Sequence, residues 1–180
     1  MATKRNLLIQ EIKDAFSGVE LEDGISMMQA AGMDTYSNRE ICAVGTNEVV
    51  NNWQNLPADE LVGTIKLAYF DPKGFRYYFP AYALWSLQQL EYFEQIHALE
   101  YINFSRVQSI VGSLILGNQK ELSEYKSWQF SMFSLAQCVA VAHYLMFMVE
   151  WCDVHDERYP SMYAKQALEE YWDRFLQIPM

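Results

Sequence analysis

The stretch from Leu67 to Trp85 constrains the fold most, because turn-forming residues and aromatic side chains follow one another there without a gap. Asp71 suits the first position of a type I turn, and Pro72 presets φ for the second. Gly74 accepts the left-handed conformation that closes a bulged hairpin. We therefore predict a β-hairpin whose tight turn is Asp-Pro-Lys-Gly.

The residues on either side of this turn alternate as they do in strands. Alternate residues share one face of each predicted strand: Ile65, Leu67 and Tyr69 in the first, and Phe75, Tyr77 and Phe79 in the second. Pro80 lacks a backbone N–H, so it interrupts a strand but fits the first turn of a helix. We expect the second strand to end near Phe79 and a helix to begin at Pro80.

A second constraint is the apolar segment that follows Ser134. Ser134 and Gln137 form a capping box, which predicts the start of a helix that runs from Leu135 to about Trp151. A helix that is apolar nearly all round is either buried at the centre of a fold or spans a membrane. Its apolar core, from Leu135 to Val149, has 15 residues, whereas a bilayer requires roughly 20. We therefore predict a buried central helix.

Further apolar stripes at spacings of three and four residues predict additional helices. They include Leu8, Ile12 and Phe16; Leu87, Leu90 and Phe93; Val107, Ile110, Val111 and Leu114; and Ala164, Leu168 and Trp172. Residues 118–127 are interpreted as a polar connection. The predicted fold is α+β: a single, mainly helical domain over residues 1–180, with one antiparallel β-hairpin packed on the buried central helix.

Composition excludes several classes of function. The 180 residues carry a formal net charge of −10, which disfavours binding to nucleic acid and to anionic membranes. Cys42, Cys138 and Cys152 are too few and too far apart to indicate a disulfide framework or a zinc site. The N-terminus lacks the pattern of a signal peptide, so we predict a cytoplasmic protein. Phosphate-binding, dinucleotide-binding and nucleophile-elbow motifs are absent from the sequence, and we predict no cofactor.

Part of the chain is similar to a known family. The segment contains Gly74, Arg76, Tyr77, Tyr78, Pro80, Ala81 and Tyr82. This arrangement resembles the Gly-x-Arg-aromatic-aromatic-x-Pro-Ala-Tyr motif of a family of uncharacterised bacterial proteins. The resemblance implies a bacterial single-domain protein and assigns neither an activity nor catalytic residues.

Arg76, Tyr78 and Tyr82 are the predicted binding residues. Arg76 and Tyr78 share the strand face opposite the predicted core face. An arginine beside a tyrosine can hold a carboxylate or an aromatic group of a partner. The alternative is that Arg76 pairs with an acidic residue of a helix and that the tyrosines simply pack.

A weaker candidate is a metal site at the end of the apolar helix. Glu150, Asp153, His155 and Asp156 supply carboxylates and an imidazole, which are ligands for divalent cations. Glu94 and His97 are further candidates if folding brings them near. The alternative is an exposed, charged turn.

Two functions follow from these observations. The first is a non-catalytic cytoplasmic binding or protein-interaction module that is able to self-associate and binds neither nucleic acid nor membrane. The second is a metal-dependent enzyme that uses the acidic and histidine cluster near residues 150–157. Because the sequence contains no catalytic motif, we favour the first.

Overall fold

A computed structural model describes residues 1–34, 52–58, 61, 67–96 and 101–177. Seven α-helices account for most of these residues: α1 (Ala2–Ala15), α2 (Met27–Asp34), α3 (Pro72–Ile96), α4 (Tyr101–Gly112), α5 (Lys120–Ser131), α6 (Leu135–Val154) and α7 (Arg158–Ala167). Within the described ranges there is no β-strand. The predicted α+β class is therefore wrong, and the described fold is all-α.

The predicted hairpin turn is the start of helix α3. One carboxylate oxygen of Asp71 accepts hydrogen bonds from the backbone N–H of Gly74 at 2.9 Å and of Ile25 at 2.8 Å. The N–H of Phe75 donates to the carbonyl oxygen of Asp71, which closes the first helical turn. Pro72 is the first residue of the helix, where its missing N–H has no cost. Asp-Pro-Lys-Gly thus begins a helix with the same residues that would close a turn.

Both predicted strands are lost with the hairpin. Leu67–Tyr69 form a short 3₁₀ helix, and residues 75–79 lie inside α3; Ile65 is outside the described residues. Pro80 was expected to begin a helix, but it is buried in the middle of α3. A proline inside a helix removes one backbone hydrogen bond. Burial of the surrounding aromatic residues offsets that loss, because Phe75, Tyr77 and Phe79 are almost fully buried.

A loop that carries Gly24 packs against the beginning of α3. A Cβ atom at Gly74 would lie 2.7 Å from the carbonyl oxygen of Ile25, and one at Gly24 would lie 2.7 Å from the backbone nitrogen of Gly74. Both distances are too short for a side chain, so glycine is required on each side of the contact. Two glycines and the shared carboxylate of Asp71 therefore join this loop to α3.

The capping box and the central helix are confirmed. The N–H of Gln137 donates to the hydroxyl of Ser134, and the side chain of Gln137 accepts from the N–H of Ser134. Helix α6 has 20 residues, which is longer than the apolar core that the sequence indicated. It packs against α1 and α7.

In the described part of the chain, α6 alone has the length and composition of a membrane-spanning helix, and 67% of its 18-residue apolar window is buried in the fold. Core helices of water-soluble proteins share these properties. The expected absence of a membrane role therefore stays a prediction.

An aromatic cluster lies where α1, α3, α5 and the C-terminal segment, residues 168–175, meet. We call it the inner aromatic cluster; it consists of Phe16, Phe75, Phe79, Phe130, Phe133 and Trp172, all buried. The rings of Phe130 and Trp172 are 4.8 Å apart, and those of Phe16 and Phe133 are 5.6 Å apart in an edge-to-face arrangement. Such pairs stabilise the core beyond the area that they bury.

Candidate interaction surface on helix α5

Helix α5 occupies residues that were predicted to be a polar connection. Its inner face is held by three side chains. Phe130 belongs to the inner aromatic cluster, Gln129 donates to the carbonyl oxygen of Phe70 at 3.3 Å, and Lys126 donates to the carbonyl oxygen of Ser113 at 2.9 Å. These contacts fix the orientation of the helix, and so they determine which residues face solvent.

Lys126 is an unusual part of this inner face. Its ammonium group also donates to Oε1 of Gln129 at 2.9 Å and lies 5.1 Å from the centre of the Phe75 ring. Burial lowers the pKa of Lys126 to about 8, because desolvation disfavours the charged form. A neutral amine keeps two N–H donors, which matches the two acceptors that the fold supplies.

The outer face of α5 carries three large apolar or aromatic side chains. We call Leu122, Tyr125 and Trp128 the α5 stripe. They lie three residues apart, so each is next to the following one on the helix surface, and the set turns by about 120° around the helix from Leu122 to Trp128. Trp128 is 56% exposed and Leu122 is 48% exposed. The rings of Tyr125 and Trp128 touch edge to face at 5.8 Å, while the hydroxyl of Tyr125 donates to the carbonyl oxygen of Phe70.

This arrangement holds the two aromatic rings in place. The hydrogen bond of Tyr125 and its contact with Trp128 restrict both side chains. Tryptophan and tyrosine on a protein surface are the residue types that most often dominate binding energy. Rigid aromatic side chains also lose little conformational entropy on association. The α5 stripe is therefore suited to contact an apolar surface of another molecule.

The charges around the α5 stripe are mainly negative. Glu121 and Glu124 are exposed on the same helix. Lys120 lies 3.9 Å from Glu124 as an exposed ion pair, which is weak in water. Since Lys126 is turned inward, it does not balance the two glutamates at the surface.

The predicted binding residues Arg76, Tyr78 and Tyr82 do not lie on an exposed strand face. They lie on helix α3, not on a strand. Tyr78 and Tyr82 are buried, and the hydroxyl of Tyr78 accepts from the N–H of Met27 at 3.1 Å. Their placement matches the alternative in which the tyrosines pack in the core, and a role in binding stays a prediction.

Arg76 is partly buried and connects three parts of the chain. It donates to the carbonyl oxygen of Met132 at 3.2 Å, at the C-terminal end of α5, and to Glu22 at 3.3 Å. A cation is stabilising at that end of a helix. Arg76 therefore orients α5, and with it the α5 stripe, without belonging to the stripe.

Three of the four predicted metal ligands contact different partners. Glu150 pairs with Lys4, and Asp153 accepts from Ser161 and from Lys165. The ring of His155 stacks on Trp151 at 4.0 Å. Asp156 has a positive φ of 58° at the end of α6. Among the described residues, no three metal-binding side chains converge on one point.

Glu94 is held by the fold and His97 lies outside the described residues. One oxygen of Glu94 accepts from Arg5 at 3.0 Å, and the other accepts from the indole N–H of Trp151 at 2.7 Å. The pKa of Glu94 is lowered, since these hydrogen bonds and the charge of Arg5 outweigh its desolvation. This network joins α1, α3 and α6 and so stabilises the packing of the three helices.

Sequence reasoning missed the α5 stripe because the segment is dominated by polar residues. A signal was present: leucine, tyrosine and tryptophan recur every three residues between charged neighbours. Only the position of Phe130, which turns inward, shows which side of the helix is left to solvent.

Over the described residues, the fold and the surface define an all-α protein with an open aromatic helix face. The chain belongs to the Family of unknown function (DUF6714), whose model matches residues 4–176. No curated protein and no solved structure matches the chain. Membership confirms that the resemblance to a family without assigned activity was well founded, while the motif and the bacterial origin stay predictions.

Proposed function

We propose that this protein is a non-catalytic, cytoplasmic interaction module that binds a partner protein through the α5 stripe. The observation that carries the proposal is the exposure of Trp128, which touches Tyr125 on a helix face that the rest of the described chain does not cover. Contiguous exposed apolar residues on a folded domain mark interaction sites.

The expected partner is a protein segment with apolar and basic side chains. The formal net charge of −10 repels a second copy of this chain, and the same field attracts cationic partners. Glu121 and Glu124 place carboxylates beside the stripe, where arginine or lysine of a partner can pair with them. A heterologous basic partner therefore fits this surface better than self-association does.

Photo-crosslinking from two positions tests the proposal. A photoreactive residue replaces Leu122 in one variant and Met162 of α7 in the other, because these side chains are 48% and 47% exposed. Each protein is irradiated in a lysate of the source cells, and the crosslinked peptides are identified by mass spectrometry. We expect position 122 to capture a protein whose crosslinked peptide contains apolar and basic residues, and position 162 not to capture it.

Three results would overturn the proposal. Equal capture of the same proteins at both positions would indicate non-specific adhesion. Crosslinks from position 122 to another copy of the chain would show that the surface is a self-association interface. No crosslink at position 122 would show that the stripe has no partner in those cells.

A further inference from the structure

A cleft between α1 and α6 is built from matching stripes of the two helices. Helix α1 contributes Lys4, Leu7, Leu8 and Glu11, and helix α6 contributes His143, Met146, Phe147 and Glu150. Each set has the spacing i, i+3, i+4, i+7, which follows one side of a helix. In both helices two charged or polar residues therefore enclose two apolar ones.

Ion pairs close the cleft at both ends. Nζ of Lys4 lies 2.6 Å from Glu150 at one end. Oε1 of Glu11 lies 2.7 Å from Nδ1 of His143 at the other end. Because the first residue of one stripe pairs with the last residue of the other, the two helices run antiparallel here. Seven residues of helix separate the ends by about 10 Å.

The middle of the cleft is apolar and accessible. Leu8 and Phe147 form the buried floor of the cleft. Leu7, which is 68% exposed, and Leu176 also line the cleft. The cavity has a volume of about 410 Å³, which is in the range of small-molecule sites. A helix of a partner protein would have to pass over the ion pairs, so a short occupant fits better.

The charges of the cleft do not suit an anion. Glu11 and Glu150 are carboxylates; Lys4 pairs with Glu150, and His143 pairs with Glu11. With a neutral imidazole at His143 the four groups sum to −1, and with a protonated one they sum to zero. In neither state does the cleft carry the net positive charge that an anionic ligand requires.

We propose that the α1–α6 cleft binds a small amphipathic amine, with its ammonium group on Glu11 and its apolar body over Leu7, Leu8 and Met146. Glu11 is the better anchor of the two carboxylates because its side chain is less exposed than that of Glu150. Water screens a less exposed charge less strongly. This site is independent of the α5 stripe.

Calorimetry with octylammonium, below the concentration at which it forms micelles, tests the proposal. The alkyl chain is about as long as the distance between the ion pairs. We expect saturable binding of octylammonium to one site, with octanoate and butylammonium each at least about tenfold weaker, because one lacks the positive charge and the other lacks the chain.

Two variants assign the binding to the cleft. We expect Leu7→Gln and Glu11→Gln each to weaken octylammonium about tenfold, and Glu150→Gln, which changes the net charge equally, to weaken it by less than threefold. Leu122→Gln on α5 is the control for non-specific contact with exposed leucine, and we expect it to have no effect.

The proposal is overturned if octylammonium does not bind, if octanoate binds as tightly, or if Leu122→Gln weakens binding as much as Leu7→Gln does. Each substituted side chain is at least partly exposed. The melting temperature of every variant is measured in parallel, so that a loss of binding is compared only among folded proteins.

Discussion

The inner aromatic cluster and the α5 stripe use the same kinds of side chain on opposite sides of one helix. In the cluster, Phe130 contacts Trp172 and is fully buried. In the stripe, Trp128 contacts Tyr125 and leaves more than half of its surface in water. The difference teaches that the aromatic residues fall into two groups: one holds the fold together, and the other is exposed to solvent, where we propose that it binds a partner.

The comparison predicts unequal losses of stability for substitutions on the two faces of α5. Phe130→Ala removes a buried ring and leaves a cavity, so we expect a loss of about 3–5 kcal/mol in the free energy of unfolding. Trp128→Ala removes an exposed ring, and we expect a loss of less than about 1 kcal/mol. Urea unfolding followed by circular dichroism measures both. Similar losses for the two variants would contradict the distinction.

The second prediction concerns the close contact between the loop that carries Gly24 and the start of α3. Gly74→Ala places a Cβ atom 2.7 Å from the carbonyl oxygen of Ile25. We expect it to destabilise the protein by about 2–3 kcal/mol, as overpacking does.

Gly112→Ala is the matched control, because its Cβ would lie 3.4 Å from the ring of Tyr163 in α7. There the higher helix propensity of alanine should stabilise the protein by up to about 1 kcal/mol. The two substitutions should therefore shift the urea midpoint in opposite directions. Equal shifts would refute the close contact between the loop and α3.

The third prediction concerns Arg76, which holds the C-terminal end of α5. Arg76→Ala leaves the carbonyl oxygen of Met132 without its charged donor. We therefore expect the free energy of unfolding to fall by about 1–3 kcal/mol. We expect Arg76→Lys to recover only part of that loss, since a lysine cannot keep both contacts in the planar geometry of a guanidinium. Thermal unfolding of both variants measures this; full recovery with lysine would show that charge alone matters.

The fourth prediction uses pH to examine Lys126 beneath the stripe. Its pKa is about 8 in the folded protein and 10.5 ordinarily. Between these values the unfolded chain binds the proton and the folded chain does not, so stability rises as the pH increases. Between pH 8 and pH 10.5 the free energy of unfolding of the wild type should rise by on the order of 1 kcal/mol relative to that of Lys126→Met.

The difference in the free energy of unfolding between the wild type and Lys126→Met reports the contribution of Lys126 alone. Burial raises the pKa of Cys138 to about 11 and that of Cys152 to about 12, but both thiols are present in the two proteins. A constant difference across this pH range would show that Lys126 is not buried as described.

Local interactions explain which parts of the fold could be predicted. The Ser134 capping box has both partners within four residues, and it was predicted correctly. Asp71 begins a helix with the same chemistry, yet its carboxylate also binds Ile25, 46 residues away. Asp-Pro-Lys-Gly suits a turn and a helix start equally, so only that distant contact and the burial of Pro80 decide between them.

The candidate surface could be predicted even less. Arg76, Tyr78 and Tyr82 are conspicuous in the sequence, but the fold buries the two tyrosines and uses Arg76 to hold the C-terminal end of α5. Exposure of Trp128 depends on Phe130 and Lys126 turning inward, toward residues that come from α3 and from the end of α4. No spacing within the segment itself contains that information.

The central claim is that the α5 stripe is exposed for a partner and not for stability. Trp128→Ser tests it most directly, with Tyr159→Ser as the control, because Tyr159 of α7 is 61% exposed on another part of the described surface. The melting temperature and the affinity for the protein crosslinked at position 122 are measured for both variants. We predict melting temperatures within about 4 °C of the wild type for both variants, and an affinity at least about tenfold weaker for Trp128→Ser alone, which corresponds to about 1.4 kcal/mol. A larger fall in melting temperature with unchanged affinity for Trp128→Ser would contradict the claim.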